Sequence, residues 1–422
     1  MASNKFIEVH CFDIEIARIG YDENAGKTTF QYNRDYIDSG AYPNLFPLIL
    51  KRTKMPQVFS EFNNEAFRGL PPMIADSLPD MFGNLIFKAW LEAKEQESGR
   101  ISVLEQLTYV ASRGMGALEY RPAEVMPKDT SIDIGEITEI LKQVLESKSG
   151  TVGDKLSAEA LLNIFKIGTS AGGARPKILI SRHTETGEII PGDLEISADY
   201  QHLLVKLSLS QPNGYSTEVI EYAYYQTAIE LGIDMMPSEL IEGKHFATER
   251  FDRQHGEKVH MLTTSGMTGW DFNKPGPGSS YESLFSLAIH IGLSQKDIEQ
   301  LYRRMAFNLC YFNIDDHLKN HAFLYDRVNS KWTLAPAYDI TYALNPELNI
   351  TKSSRALSIG GKRTNIQLQD LLKLAEVFTV KNAKGIISEI QEGAAILEQK
   401  LLGLAIPKRT VERIKRDFVK FL

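Results

Sequence analysis

The chain has 422 residues, 43% hydrophobic and 24% charged, which is the composition of an ordinary globular protein with room for a sizeable core. Its net charge of −7 argues against strong sequence-independent binding to DNA, which needs clustered basic side chains. Two cysteines far apart in sequence give no disulfide framework, and the chain lacks both an apolar signal core and an apolar run long enough to span a bilayer, so we expect a cytoplasmic protein without membrane contact.

Residues 1–125 alternate short apolar runs with turns, and they predict an N-terminal α/β subdomain. Strands are expected at residues 6–12, 15–19 and 28–32, and a helix at residues 84–94. The polar residues 128–131 then interrupt the pattern and are expected to form a short linker.

The segment 126–244 is predicted to form a lobe that contains a phosphate-binding loop. Helices are expected at residues 136–147 and 157–166, before the small-residue loop 168–177, GTSAGGARPK. Its glycines would let backbone N–H groups approach phosphate oxygens closely, although the spacing is not that of a P-loop. A plain glycine-rich turn is the structural alternative for this loop.

A lysine and a glutamate follow that loop at positions that suit ATP binding. Residues 201–207 predict a strand with Lys206 among apolar neighbours, where a phosphate-pairing lysine would lie. The helical pattern of residues 219–231 carries Glu221, a candidate to pair with Lys206 as a kinase strand lysine pairs with its helix glutamate. An edge-strand lysine and a solvated glutamate are the alternatives.

From residue 245 to residue 422 the chain is predicted to be mainly helical. Helices are expected at residues 281–291, 295–311, 368–378 and 384–403, and an amphipathic helix after Pro407. The Gly- and Pro-rich residues 269–280 are a candidate substrate or activation segment, with an ordinary surface turn as the alternative.

The most informative motif in this half is DDHLKN, residues 315–320, with Asp339 nineteen residues after Asn320. Asp315 and Asn320 have the spacing of the catalytic Asp and Asn in a protein-kinase loop. Asp315 would orient and deprotonate an attacking hydroxyl, while Asn320 and Asp339 would supply hard oxygen ligands for Mg²⁺. A hairpin at residues 322–326 and 331–334 separates the two parts, so the order is that of a kinase C-lobe.

Taken together, these motifs resemble the HipA-type serine/threonine kinases, the toxins of bacterial toxin–antitoxin pairs. Residues 249–253, ERFDR, and the N-terminal residues 76–84 and 109–120 also match that family. The resemblance implies an α+β protein with a divergent, two-lobed protein-kinase-like fold. Its parts would be an N-terminal α/β subdomain at 1–125, a kinase N-lobe at 126–244 and a helical C-lobe at 245–422.

The resemblance also implies ATP and Mg²⁺ as cofactors, a protein substrate and a helix-turn-helix antitoxin through which alone the chain would reach DNA. Asp315 is similar to the catalytic aspartate of the family, and Asn320 and Asp339 to its metal ligands. The implied ATP-binding residues are Ser170, Ala171, Gly172, Gly173, Ala174, Lys177, Lys206, Glu221, His317 and Lys319. Ser170 matches an autophosphorylated serine whose phosphate ejects the loop, with Thr169 as an additional or substitute site.

Two other functions are compatible with the same residues. The chain could be a kinase-fold binding module, or a co-repressor acting through a DNA-binding antitoxin, although retention of Asp315, Asn320 and Asp339 argues against it. Phosphorylation of a small molecule would use the same chemistry. The choice of a protein kinase, possibly acting on an aminoacyl-tRNA synthetase, rests on the resemblance.

Overall fold

The chain is a mixed α and β protein that divides into two compact units. The computed structural model describes residues 6–22, 24–78, 102–123, 133–148, 176–192, 196–209, 215–342 and 354–422. The first unit comprises Met1–Gln211 and His245–Met261, and the second comprises Pro212–Lys244 and Leu262–Leu422.

The N-terminal part of the first unit contains an antiparallel sheet of five strands. These are β1 (Phe6–Cys11), β2 (Ile14–Asp22), β3 (Lys27–Tyr32), β4 (Gln57–Phe59) and β5 (Leu118–Arg121). They lie in the order β4-β3-β2-β1-β5. In β3, every second residue is buried, which is the alternation of a strand with one face toward a core. The three strands predicted here are confirmed, and β2 is longer than expected.

Four helices of the first unit are described. They are α1 (Arg34–Ser39), α2 (Pro72–Ala75), α3 (Val103–Val110) and α4 (Ile134–Lys148). Asn33 caps α1, and a reciprocal capping box of Ser102 and Glu105 begins α3. Helix α4 confirms the helix predicted at residues 136–147. The helices predicted at 84–94 and 157–166 and the linker at 128–131 lie outside the described residues.

A second antiparallel sheet in this unit carries the predicted lysines. Its strands β6 (Lys177–His183), β7 (Ile189–Pro191), β8 (Tyr200–Lys206) and β10 (His245–Glu249) lie in the order β7-β6-β8-β10. The hairpin of β11 (Arg253–Gln254) and β12 (Glu257–Lys258) follows. The strand predicted at 201–207 is confirmed as β8, shifted by one residue.

A buried charge cluster lies in the first unit at the ERFDR motif. The Asp252 carboxylate accepts hydrogen bonds from Arg250, at 2.8 Å, and from Arg253, at 2.9 Å. It also accepts one from the backbone N–H of Gly116 at 2.6 Å, and both arginines donate to the carbonyl of Gly114. The motif therefore ties β10 and β11 to the turn before β5, because a buried carboxylate must be paired and hydrogen-bonded.

The second unit is mainly helical. Its elements before residue 343 are α5 (Thr217–Glu230), β9 (Ser238–Ile241), α6 (Thr264–Thr268), α7 (Tyr281–His290), α8 (Gln295–Cys310), β14 (Ala322–Asp326) and β15 (Lys331–Leu334). Strand β13 (His260–Thr263) crosses from the first unit into the second. The later helices are α9 (Leu368–Val377), α10 (Ala383–Glu392), α11 (Ala394–Gly403) and α12 (Lys408–Arg416). The predicted β14–β15 hairpin and the helices at 281–291, 295–311 and 368–378 are confirmed.

One predicted helix is wrong in its continuity. The single helix expected at residues 384–403 is two helices, α10 and α11, which meet at Gly393. A Cβ at that position would overlap the side chain of Leu231 and the Tyr311 hydroxyl, so close packing requires glycine there. Helical periodicity continues through the break and therefore did not reveal it.

No helix in the described parts of the chain is long and apolar enough to cross a membrane. The three-domain division and the cytoplasmic location expected from the sequence stay predictions.

Two fully buried histidines make the stability of the fold sensitive to acid. Burial lowers the pKa of His260 to about 3, and that of His321, also lowered by Arg304, to about 3. Both rings are therefore neutral when folded but take up a proton in the unfolded chain below its ordinary pKa of 6.5. The contribution of these two histidines to stability is fully present above pH 6.5 and is lost as the pH falls toward 3, because the unfolded state then binds more protons than the folded state.

We predict that His260 and His321 each lower the free energy of unfolding by about 1.4 kcal/mol per pH unit below 6.5. In His321→Gln, the slope of the free energy of unfolding against pH should fall by the contribution of one histidine. The slope is measured by denaturant unfolding at pH 7.5, 6.5, 5.5 and 4.5. His290→Gln, at an exposed position on α7, is the control and should retain the wild-type slope. An unchanged slope in His321→Gln would contradict the assignment.

Candidate functional site

The predicted catalytic loop begins where α8 ends. Phe312 has a positive φ of 57°, which turns the chain out of the helix. A short 3₁₀ turn at Leu318–Asn320 closes the loop. The backbone carbonyl of Asp315 accepts hydrogen bonds from the N–H of His317 and from the Asn320 side-chain amide, both at 2.8 Å. The loop is therefore held by its own polar groups, and the amide of Asn320 fixes the position of Asp315.

The two neighbouring aspartates of the motif have opposite environments. Asp315 is exposed. Asp316 is 1% exposed, and its carboxylate accepts hydrogen bonds from the Tyr281 hydroxyl at 2.6 Å and from Arg355 at 3.3 Å. A carboxylate that is buried and engaged in this way cannot approach a substrate hydroxyl. Of the two side chains, Asp315 is the exposed one, and its role as a general base stays a prediction.

Asp339 and Asn320 line the same pocket. Asp339 has a positive φ of 55°, a conformation that is costly for a residue with a side chain and that concentrates at functional sites. Its backbone carbonyl accepts a hydrogen bond of 3.4 Å from the Asn313 side chain. The pocket is lined by Arg304, Asn308, Asn313, Asp316, Asn320, His321, Ala337, Tyr338, Asp339 and Ile340.

The donor chemistry of this pocket suits Mg²⁺. Because the amide nitrogen of Asn320 donates to Asp315, its oxygen is the atom left to coordinate a cation. Asp339 adds a carboxylate. The described residues contain no group of three or more His, Cys, Asp or Glu side chains that could hold a metal by themselves. Mg²⁺ is commonly held by one or two carboxylates together with substrate phosphates, so the residues present fit it.

The residues that hydrogen-bond to the backbone next to this loop were not predicted from the sequence. The Arg355 guanidinium donates to the carbonyls of Asn308, at 3.1 Å, and Asn313, at 2.8 Å. The Asn308 side-chain amide donates to the Tyr281 hydroxyl at 3.2 Å, and that of Asn313 donates to the Asn308 side-chain oxygen at 3.0 Å. The sequence signal was that Asn308 interrupts the apolar run at the end of α8.

Arg304 is a buried cation in the wall of the pocket. Burial lowers the pKa of its guanidinium to about 10, so it stays charged at neutral pH. Among the described residues, its Nε atom has no hydrogen-bond partner, and neither does Nε2 of His321, another residue of the pocket lining. These two groups leave donor or acceptor capacity at the pocket wall that a solvent molecule or ligand can use.

The other two loop residues predicted to bind ATP, His317 and Lys319, contact Phe272. The ring centroids of Phe272 and His317 are 5.6 Å apart, and Nζ of Lys319 lies 4.8 Å from the Phe272 ring centroid. Residues 269–280 were the predicted substrate or activation segment. Phe272 places part of that segment against the catalytic loop.

In the first unit, the two predicted ATP lysines are brought together. Lys177 on β6 lies directly opposite Lys206 on β8, and both are 5% exposed. Opposite residues in an antiparallel pair share a face of the sheet, so the two lysines lie side by side there. Their contact with phosphate oxygens stays a prediction.

The remaining predicted site residues divide into two groups. Glu221 lies on α5 and is 2% exposed, and its pairing with Lys206 stays a prediction. The glycine-rich loop falls outside the described residues, and with it Thr169, Ser170, Ala171, Gly172, Gly173 and Ala174.

Two protein-family models match the chain and show the family to which it belongs. A model described as HipA-like C-terminal domain matches residues 169–397, and one described as HipA N-terminal domain matches residues 7–121. The chain belongs to the HipA family. The resemblance inferred from its motifs is thus confirmed.

Solved structures add the fold. The chain resembles HipA of Shewanella oneidensis MR-1, solved in a complex with HipB and operator DNA, with a TM-score of 0.63 and 16% identity over 97% of this chain and 95% of that chain. The Helicobacter pylori proinflammatory kinase CtkA aligns over 58% of this chain and 93% of that chain, with a TM-score of 0.32 and 14% identity. The shared fold is inferred from the HipA structure alone. A comparison with curated protein sequences gave no match.

Proposed function

We propose that the chain is an ATP- and Mg²⁺-dependent serine/threonine protein kinase with a two-lobed kinase-like fold. The observation that carries the proposal is the loop in which the Asn320 amide fixes the exposed Asp315, beside a pocket shared by Asn320 and Asp339. This arrangement would supply a general base together with an amide oxygen and a carboxylate as metal ligands. The opposed Lys177 and Lys206 supply the positive charge that nucleotide phosphates need.

In the proposed reaction, Asp315 orients a serine or threonine hydroxyl and accepts its proton as the oxygen attacks the γ-phosphorus of ATP. The bond from that phosphorus to the β,γ-bridging oxygen breaks, and ADP leaves with the electron pair. Asn320 and Asp339 would hold Mg²⁺, which neutralises charge on the phosphates when bound. Lys206 and Lys177 are assigned to phosphate oxygens by the family resemblance.

We further propose that the chain acts as the toxin of a toxin–antitoxin pair and phosphorylates a cellular protein, such as an aminoacyl-tRNA synthetase. Membership of the HipA family supports the role, and the fold relative from Shewanella oneidensis was solved with HipB and operator DNA. The acidic balance of the chain, −7, favours contact with DNA through a basic antitoxin rather than directly.

The first test concerns Asp315. Asp315→Ala should lower the rate of phosphate transfer from ATP by a factor of about 10²–10⁴, the range for loss of a general base, with little change in folding. Transfer is measured with radiolabelled ATP and by mass spectrometry of peptides from a treated proteome. Glu376→Gln, at an exposed position on α9, is the matched control and should transfer at the wild-type rate.

Persistence of wild-type transfer in Asp315→Ala would contradict the catalytic assignment. Absence of transfer in the wild type, with ATP still bound, would instead favour a binding module or co-repressor. Transfer onto a metabolite and not onto protein would favour a small-molecule kinase.

The second test concerns Ser170. A phosphate on this residue adds a charge of about −1.5 to −2 and competes with the ATP phosphates, so autophosphorylation should weaken ATP binding. Intact-protein mass and ATP affinity are measured before and after incubation with Mg²⁺-ATP. Ser170→Ala should lose the modification and keep high affinity, and Thr169→Ala separates the neighbouring hydroxyl. Unchanged affinity after phosphorylation of Ser170 would exclude the switch while leaving the kinase assignment intact.

The third test concerns the antitoxin. The isolated chain should not bind its operator DNA at physiological salt, whereas the chain together with a helix-turn-helix partner should do so. Gel-shift measurements at increasing salt distinguish the two. Tight operator binding by the isolated chain would overturn the proposal.

A further inference from the structure

The Asp316–Arg355 ion pair does not belong to the proposed reaction, yet it lies directly behind the catalytic aspartate. Both side chains are buried, with 0% of Asp316 and 7% of Arg355 exposed. Nε and Nη2 of Arg355 approach Oδ2 of Asp316 at 3.4 and 3.3 Å, and the backbone N–H of Leu357 approaches Oδ1 at 3.4 Å. Removing two charges from water is expensive, so a buried pair is weak evidence of added stability and needs another explanation.

The partners of Arg355 suggest that explanation. Its guanidinium also donates to the carbonyls of Asn308 and Asn313, which precede the catalytic loop. The next residue along, Ala356, donates its N–H to the carbonyl of Ile314 at 2.8 Å. One short segment thus holds the chain on both sides of Asp315, from Asn308 to Asp316.

The same network extends to Asp339. The Asn313 side chain donates to the Asn308 side-chain oxygen and to the carbonyl of Asp339. Tyr281, at the start of α7, donates to Asp316 and accepts from Asn308. The network therefore holds the backbone that carries Asp315 and the backbone that carries Asp339.

We propose that Asp316 and Arg355 are positioning residues, whose ion pair sets the orientation of Asp315 for phosphate transfer. This inference rests on the proposed kinase function. A displacement of about 1 Å in a reacting group can cost about 100-fold in rate, so loss of the pair should lower kcat about 10- to 100-fold. The KM for ATP should change less than about threefold, because neither residue is among those assigned to the nucleotide.

The experiment compares Asp316→Asn, Arg355→Met and the double variant. Each single change leaves a charge buried and unpaired and should lower the melting temperature, whereas the double change removes both charges and should restore much of it. In the double variant kcat should stay low although stability recovers. Arg355→Lys keeps the charge but cannot reach the three acceptors of the guanidinium fork, so its kcat should also stay low.

Lys362→Met is the matched control. Lys362 belongs to the same segment but pairs with Asp370 at 2.8 Å on the surface, so its loss should leave kcat unchanged. If the double variant regains wild-type kcat together with wild-type stability, the pair is only structural and the inference is overturned.

Hydrogen exchange provides a readout that does not depend on catalysis. The N–H groups of His317 and Asn320 are bonded within the loop, and they should exchange at least about tenfold faster in the double variant than in wild type or Lys362→Met. Unchanged exchange overturns the inference. If the wild-type chain transfers no phosphate, the proposed function fails, and exchange still decides whether the pair orders the loop.

Discussion

The end of helix α8 is the constraint on which the candidate site depends. The helix is buried along most of its length, so the carbonyls at its C-terminus cannot all reach water. The Arg355 guanidinium satisfies the carbonyl of Asn308 and complements the negative end of the helix dipole. The positive φ of Phe312 then turns the chain out of the helix two residues after its last residue, Cys310. An arginine from far along the sequence thereby helps to hold the end of the helix from which the predicted catalytic loop begins.

Two adjacent aspartates illustrate how environment divides one chemical type between two uses. Asp316 is surrounded by a tyrosine hydroxyl, a guanidinium and a backbone N–H, and it is sealed from solvent. Burial, followed by the nearby charge of Asp316, raises the pKa of the Tyr281 hydroxyl well above its ordinary value, so that group remains a donor at neutral pH. Asp315 has the same side chain but is exposed, and the proposed function assigns the chemistry to it.

Much of the fold and three of the candidate site residues could be predicted from the sequence, because they depend on local sequence patterns. The hairpin of β14 and β15 and most of the helices follow from periodicity, and Asp315, Asn320 and Asp339 follow from spacing within 25 residues. Arg355 could not be found in this way. It is 39 residues from Asp316, and the residues around it have no distinguishing pattern. The break at Gly393 was missed for a related reason, since it depends on packing against Leu231 and Tyr311, which are distant in sequence.

The buried charged side chains described above are arranged in two different ways. Around Asp316 and around Asp252, each buried carboxylate is matched by arginines and backbone N–H groups of the protein itself, so those clusters are complete within the chain. Lys177 and Lys206 differ from these clusters, because they are like charges placed opposite each other on two strands. Cross-strand pairs of like charge are unfavourable unless other groups offset them. In the proposed function, a nucleotide bound to the folded state would offset part of this cost, because a ligand that binds only the folded state stabilises it.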